Sequence, residues 1–198
     1  SGDTITSTSE YDVGVLNYPA FARNNMNGIR PAAGTGFDIN TSSSIKSIEM
    51  FFTPKDLYSN HLVYSLGSGG FATAEFSWNS AGVMTKTNIS NLYINGTDAN
   101  GAINAFAFLK ADEPVHITLV FTSPISNKIQ LNYQVVAGSD HLYNNIAIYK
   151  QALSQTTASS HFSSYIGRTA ISVSNPDILL SEEPISYYNN EWTVIQTA

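Results

Sequence analysis

From Ile45 onward, apolar residues recur at every second position in short runs that end at turn residues. Ile48, Met50 and Phe52 alternate with Glu49 and Phe51 until Pro54-Lys55-Asp56. Leu62, Tyr64 and Leu66 alternate with His61, Val63 and Ser65 before Gly67-Ser68-Gly69-Gly70, and Ala74, Phe76 and Trp78 alternate with Glu75 and Ser77 before Asn79-Ser80-Ala81-Gly82. Leu92 and Ile94 flank Tyr93 and lead into Asn95-Gly96, a turn dipeptide because both residues tolerate positive φ. Val115, Ile117, Leu119 and Phe121 form one alternating set, and Ile129, Leu131, Tyr133 and Val135 another. Leu142, Asn144, Ile146 and Ile148 share one face, with Tyr143, Asn145, Ala147 and Tyr149 opposite. A period of two sends successive side chains to opposite faces of a strand.

The rest of the chain is less regular. Val13, Val15 and Leu16 mark a short strand within Tyr11–Phe21, and Asn24–Gly36 reads as an irregular connection. Ile103–Leu109 is apolar on both faces, as a strand between two sheets would be. Short β pieces are expected at Tyr165–Arg168, Ile171–Val173 and Trp192–Ile195, with a loop over Asn175–Pro184. The single helical signal is Ser154, placed to cap a short turn through Thr157 to Phe162. About ten short strands with closely spaced turns predict an all-β fold: a two-sheet antiparallel jelly-roll sandwich with at most one or two short helical turns. No repeat or linker divides it. The expectation is one domain over residues 11–198, behind a disordered or tag-derived polar lead at 1–10, with 171–198 a terminal strand or the start of a linker. Ser1-Gly2 reads as a cleavage scar on a domain cut from a longer protein.

Four stretches carry a family resemblance. "LYNNIAIYKQALS" (142–154) resembles the closing strand of laminin G-like and concanavalin A-like jelly rolls. "SIKSIEMFFTPK" (44–55) resembles an early strand of that superfamily that reaches an aromatic residue and a Pro turn. "EPVHITLVF" (113–121) resembles its Trp-His-His-Val strand, with Pro114 and Val115 in place of the Trp and first His. "NLYINGT" (91–97) resembles its Leu-Tyr-Val-Asn-Gly hairpin, although it precedes the His strand here. Asn145 and Thr157 stand where the family commonly has acidic residues. The resemblance covers about Ile45 to Tyr165. It implies a concanavalin A-like sandwich, and the lectins of that superfamily bind glycans, many with a loop-bound calcium. Asp98-Ala99-Asn100-Gly101 resembles part of such a loop, so Asp98 and Asn100 are the candidate metal ligands; the plainer reading is a hairpin tip.

Composition narrows the function classes. Only 12% of the 198 residues are charged, the net charge is −6, and no Lys/Arg cluster occurs. Counterion release from a phosphate backbone needs such a cluster, so nucleic acid is not the expected partner. No apolar run reaches the roughly 18 residues of a membrane span. The absence of Cys removes disulfides, thiolate metal sites and a Cys nucleophile. A surface of hydroxyls and amides suits an extracellular, cell-surface or virion setting. The three Asn-x-Ser/Thr sequons (Asn40, Asn88, Asn95) read as chance in a chain this rich in Asn, Ser and Thr.

Catalytic patterns are sparse. Glucanases of the superfamily carry Glu-x-Asp-x-x-Glu on one strand, whereas the only Glu-x-Asp here is Glu10-Tyr11-Asp12, with Val15 at the third position. There is no Gly-x-Ser-x-Gly elbow. The four His residues (His61, His116, His141, His161) are too dispersed for a zinc motif. Gly67-Ser68-Gly69 imitates a phosphate loop, but a strand follows it where a helix is required.

Strand parity gives the candidate binding face. With the apolar sets inward, Glu49, His61, Glu75, Ser77, Asn91, Tyr93, Gln130, Asn132, Gln134, Tyr143, Asn145 and Tyr149 face outward. Amides and carboxylates fork onto sugar hydroxyls, and aromatic rings lie against the apolar face of a pyranose. Tyr93, Tyr143 and Tyr149 are the candidate platforms, with Asn91, Gln130, Asn132 and Asn145 as polar contacts. A solvated sheet face with cross-strand polar pairs is the plainer reading. The leading expectation is therefore a non-catalytic, lectin-like glycan-binding module of a larger surface, secreted or virion protein, with no cofactor unless calcium. One alternative is a structural or assembly domain whose partners are other protein subunits, as in a phage tail, capsid or cell-surface scaffold. A second is a glycoside hydrolase whose carboxylates are not apparent from spacing.

Overall fold

The computed structural model describes residues 4–7, 10–15, 25–30, 37–67, 69–133, 141–167 and 178–180. In chain order these form β1 (Thr4–Ser7), β2 (Glu10–Val15), β3 (Asn25–Arg30), β4 (Phe37–Thr53), β5 (Asn60–Leu66), β6 (Ala72–Trp78), β7 (Met84–Thr87), β8 (Ile89–Ile94), β9 (Thr97–Asp98), β10 (Val115–Tyr133), β11 (Leu142–Tyr149), α1 (Gln155–Gly167) and β12 (Ile178–Leu180).

The fold is an all-β sandwich of two antiparallel sheets. Strands β4 and β10, 17 and 19 residues long, belong to both. Their C- and N-terminal halves respectively pair from Phe52↔Val115 to Ser47↔Val120, and in this first sheet β8 flanks β10 while β11 flanks β4. Past two register breaks around Ile125, the other halves pair from Thr41↔Asn127 to Phe37↔Leu131. In this second sheet β1 flanks β4, while β5, β6 and β7 follow outward from β10. The breaks let each long strand bend from one layer into the other, the usual role of extra residues in a ladder.

Between the layers lies one core, as the alternation predicts. Ile48, Met50 and Phe52 meet Leu62, Phe76 and Trp78, together with Leu92, Ile117, Leu119, Ile129, Leu131, Ile146 and Ile148. Phe52 and Phe76 each approach Trp78 edge-on, the arrangement the ring quadrupoles favour.

Several local expectations give way to the observed chain. Ile103–Leu109 is not a strand: Asn104 Oδ1 accepts the Phe106 N–H and starts a 3-10 turn over Ala105–Ala107, leaving Ile103 79% exposed. Asn25–Arg30, expected as connection, is β3, and Thr4–Ser7 in the polar lead pairs with β4. Ser154 does cap a helix, its Oγ accepting the Thr157 N–H at 3.1 Å. That helix continues to Gly167, through part of the segment expected as a β piece. Gln134, Trp192–Ile195 and the expected strand at Ile171–Val173 lie outside the described residues. No helix among the described residues is long and apolar enough to cross a membrane.

Candidate functional site

The two outer faces of the sandwich differ in what covers them. On the first sheet, Tyr93, Thr118, Glu49 and Ala147 form a cross-strand row through β8, β10, β4 and β11. Helix α1 lies over this row. Ala158 and Leu153 pack on Tyr93, Val120, Ala147 and Tyr149, and Phe162 stacks on His116. Gly96, in the β8–β9 turn at φ 74°, passes so close that a Cβ there would sit 2.5 Å from Ser159 Cα.

Beneath α1 lies a dry ionisable cluster. Glu49 is 2% exposed, and one of its oxygens accepts the Tyr149 hydroxyl at 2.5 Å. His161 Nδ1 sits 2.8 and 2.9 Å from the two Glu49 oxygens, and His116 Nε2 is 3.7 Å from Oε2. An ionised carboxylate only accepts, so the His161 Nδ1 proton and the Tyr149 proton both point at it. Burial pushes the Glu49 carboxyl up, but the hydrogen bond from His161, the charges of His116 and His161 and the Tyr149 hydroxyl outweigh it and hold the group below its usual range. Burial drives His116 down to about 4, and His161 adds to this against the opposing pull of Glu49. At neutral pH His116 is therefore uncharged, so its charge bears on Glu49 only in acid, and His161 with the Tyr149 hydroxyl keeps the carboxylate ionised near pH 7.

The second sheet presents an open polar face. Asp38, Gln130, Tyr64, Glu75 and Thr87 form one row across β4, β10, β5, β6 and β7. Tyr133, His61, Ser77 and Thr85 form the next. Tyr64 and Tyr133 stack with ring centres 4.6 Å apart and planes within 9°, and His61 meets both edge-on. His61 Nε2 lies 3.3 Å from Glu75 Oε1, which also accepts the Ser77 hydroxyl at 2.5 Å. At the far end, Asp38 binds Lys128 Nζ at 2.6 Å and Gln130 Nε2 at 2.8 Å. His61 and Glu75 keep 27% and 17% of their side-chain surface in water, enough to meet a ligand while held in place.

The residues expected to form one sugar-binding face are not together. Tyr143 is 1% exposed and lies in the inter-sheet core, its hydroxyl donating to Asn132 at 3.1 Å; burial pushes its phenol well above the usual range. Tyr149 and Tyr93 are closed off beneath α1, and Tyr93 is raised by burial and by the Asp98 charge. Asn132 is fully buried and Asn91 half-buried, while the Asn145 side chain lies outside the described residues. Of the set, Gln130 alone lines the open face of the second sheet. The reason is local. A register break between Asn144 and Ala147 puts Tyr143 on the same side as Ile146, and Asn132 adopts φ 56°.

The same breaks hide Tyr64 and Tyr133 from sequence reasoning, which sends both inward with their apolar neighbours. A break between His61 and Val63 turns Tyr64 outward, and the left-handed Asn132 does so for Tyr133. Asparagine's tolerance of that conformation is the only hint in the sequence. The calcium candidates are engaged by backbone: Asp98 Oδ1 accepts the Asn100 N–H at 2.7 Å, and Asn100 Oδ1 accepts the Leu92 N–H at 2.6 Å. No group of three or more His, Asp or Glu side chains poised for a metal occurs among the described residues.

No protein-family profile matches the chain, and no curated protein does. Among solved structures, it is similar to a sialidase of Trypanosoma rangeli at 14% identity and TM-score 0.48, over 70% of this chain and 27% of the sialidase. The same enzyme as a covalent intermediate with 2,3-difluorosialic acid gives 14% and 0.47 over 70% and 27%, and with sialic acid 12% and 0.46 over 73% and 30%. The chain thus spans between a quarter and a third of their length. These are sialidases, and the expectation of a non-catalytic lectin module is corrected by what the chain itself shows. The burial of Tyr93, Tyr143 and Tyr149 removes its proposed platform.

Proposed function

We propose that the chain acts on a saccharide as the sandwich portion of a glycoside-cleaving protein, through the open face of β5, β6 and β10. The observation that carries this reading is the His61–Glu75 pair beside the stacked Tyr64 and Tyr133. The tyrosine rings supply an apolar platform for a pyranose ring. Glu75, held by Ser77 and His61, is the carboxyl group placed to exchange a proton with a glycosidic oxygen. The second carboxyl on that row, Asp38, is three strands away, about 14 Å at the usual strand spacing. Retaining and inverting enzymes hold their two carboxyls about 5–9.5 Å apart. A two-carboxylate scheme therefore does not fit. Tyr64, directly across from Glu75, is the candidate for the tyrosine-nucleophile variant: its oxygen bonds to the anomeric carbon as the glycosidic C–O bond breaks, and its proton passes by way of Glu75 to the leaving oxygen.

Glycoside hydrolysis tested on a panel of neutral and sialylated substrates checks this reading. Glu75→Gln is expected to lower turnover about 10²- to 10⁴-fold and Tyr64→Phe to abolish it, with the fold unchanged by circular dichroism. A chain that cleaves nothing, or cleaves equally well without Glu75, overturns it. A concanavalin A-like jelly-roll ancestry and an extracellular or virion setting belong to the same proposal.

A second reading is favoured by a separate observation. In it the chain is a structural domain that assembles with other subunits through large apolar side chains left in water: Phe71, Ile103 and Tyr58 stand 80, 79 and 71% exposed. Sedimentation of the wild-type chain against Phe71→Ser and Ile103→Ser separates the two: assembly lost in these variants supports this reading, and a monomer at all concentrations rejects it.

A further inference from the structure

We propose that α1 is an acid-released cover, clamped in neutral solution over the outer face of the first sheet by the Glu49 cluster and freed when that cluster takes up protons. The inference is independent of the open face on the second sheet.

Among its described side chains, little else holds the helix. Its sequence, QTTASSHFSSYIG, is dominated by Ser and Thr, which compete with helical hydrogen bonds and favour caps over helix interiors. It carries no acidic residue in its first turn and no basic residue in its last, so its dipole is uncompensated. Of its described side chains, Ala158, His161 and Ser164 are buried and Phe162 stacks on His116, and of these only His161 reaches a charged group. The segment leading into the helix is anchored separately: Ser47 Oγ donates to the Gln151 carbonyl and accepts the Leu153 N–H. Release can therefore pivot there without disturbing the strands. Local opening of this kind is expected where apolar contacts are few.

The titratable groups at the clamp come from each element packed there. Glu49 lies on β4, His116 on β10, Tyr149 on β11 and His161 on α1, with Tyr93 of β8 beside Tyr149 and Asp98 of β9 near Tyr93. With α1 docked, His116 stacks on Phe162 and meets Phe51 at a 44° tilt, away from water. Lifting α1 removes Phe162 and admits solvent, so the imidazole gains a proton more readily in the open state. Protonation of Glu49 acts in the same sense, because a neutral carboxyl holds His161 less tightly than a carboxylate. Opening leaves the Tyr149–Glu49 pair and Tyr93 facing water, which are the outward groups that strand parity predicts for this sheet.

Amide hydrogen exchange of the wild-type chain, corrected for intrinsic pH dependence, tests the cover. If His116 returns from about 4 to its ordinary 6.5 on opening, the opening equilibrium of α1 rises about 20-fold between pH 7 and pH 5. Amides of Thr157–Ser164 should lose protection by that factor while exchanging, at each pH, through an opening well short of the global unfolding that Ile129 and Leu62 report. His116→Phe, which keeps the ring stack and cannot titrate there, should flatten the response. Helix amides that exchange only through the global unfolding reported by Ile129 and Leu62, or no loss in the helix, overturns the proposal in the wild type alone, whatever the variant does. A folded His116→Phe chain that keeps the full response overturns it as well.

Discussion

At the scale of single residues, Glu49 carries more of this structure than any other charged side chain described. Removing it strips the buried His161 and Tyr149 of their acceptor, so Glu49→Leu is expected to cost about 1–3 kcal/mol in urea unfolding. Acid should act in the same direction. His116 is neutral in the fold down to about pH 4 but titrates at 6.5 when unfolded, so the unfolded chain binds the extra proton in that window. Stability then falls as pH drops from 6.5 to 4, and falls further below 4.5 as the depressed Glu49 is protonated. Unfolding midpoints measured at half-unit pH steps check both the sign and the window; a midpoint that rises on acidification contradicts it. The outward facing of Glu49 was legible from its alternation with Ile48 and Met50. Its burial was not, because what buries it is a helix more than 100 residues away in sequence.

At the scale of elements, strand existence was legible and facing was only partly so. Period-two runs over Ile48–Phe52, Ala74–Trp78 and Val115–Phe121 deliver their apolar residues to the core as read. Where a ladder carries an extra residue, the reading inverts, as at Tyr64, Tyr133 and Tyr143. No side-chain pattern encodes such a residue, since it is a property of two strands in register. The helix shows the complementary limit: its cap at Ser154 could be read, and its length could not, because Ser- and Thr-rich segments have weak helical preference and depend on docking. Loss of the cap in Ser154→Ala should cost about 1 kcal/mol and appear first as faster exchange at Thr157 and Ala158. Gly96→Ala should disturb the same helix from the other side. The new methyl meets the Ser159 backbone, and the positive φ adds a cost of about 1–3 kcal/mol. Both variants should leave exchange in β5 and β6 unchanged.

At the scale of the molecule, the two layers hold together because β4 and β10 run through both. Far-ultraviolet dichroism and the fluorescence of the buried Trp78 should therefore lose signal at the same denaturant concentration; separate midpoints would mean that the sheets melt independently. The shared strands also set a kinetic condition. Lys46 of β4 reaches the Phe121 carbonyl of β10 across 75 residues, so the central ladder closes a long loop before any contact rewards it. Chains dominated by such distant pairings fold in about milliseconds to seconds. Throughout that interval β4, which carries the apolar residues Ile48, Met50, Phe51 and Phe52, has no partner on its β10 side. A nascent or refolding chain is then most exposed to self-association through β4, and its yield should depend on concentration more steeply than the stability of the finished sandwich suggests.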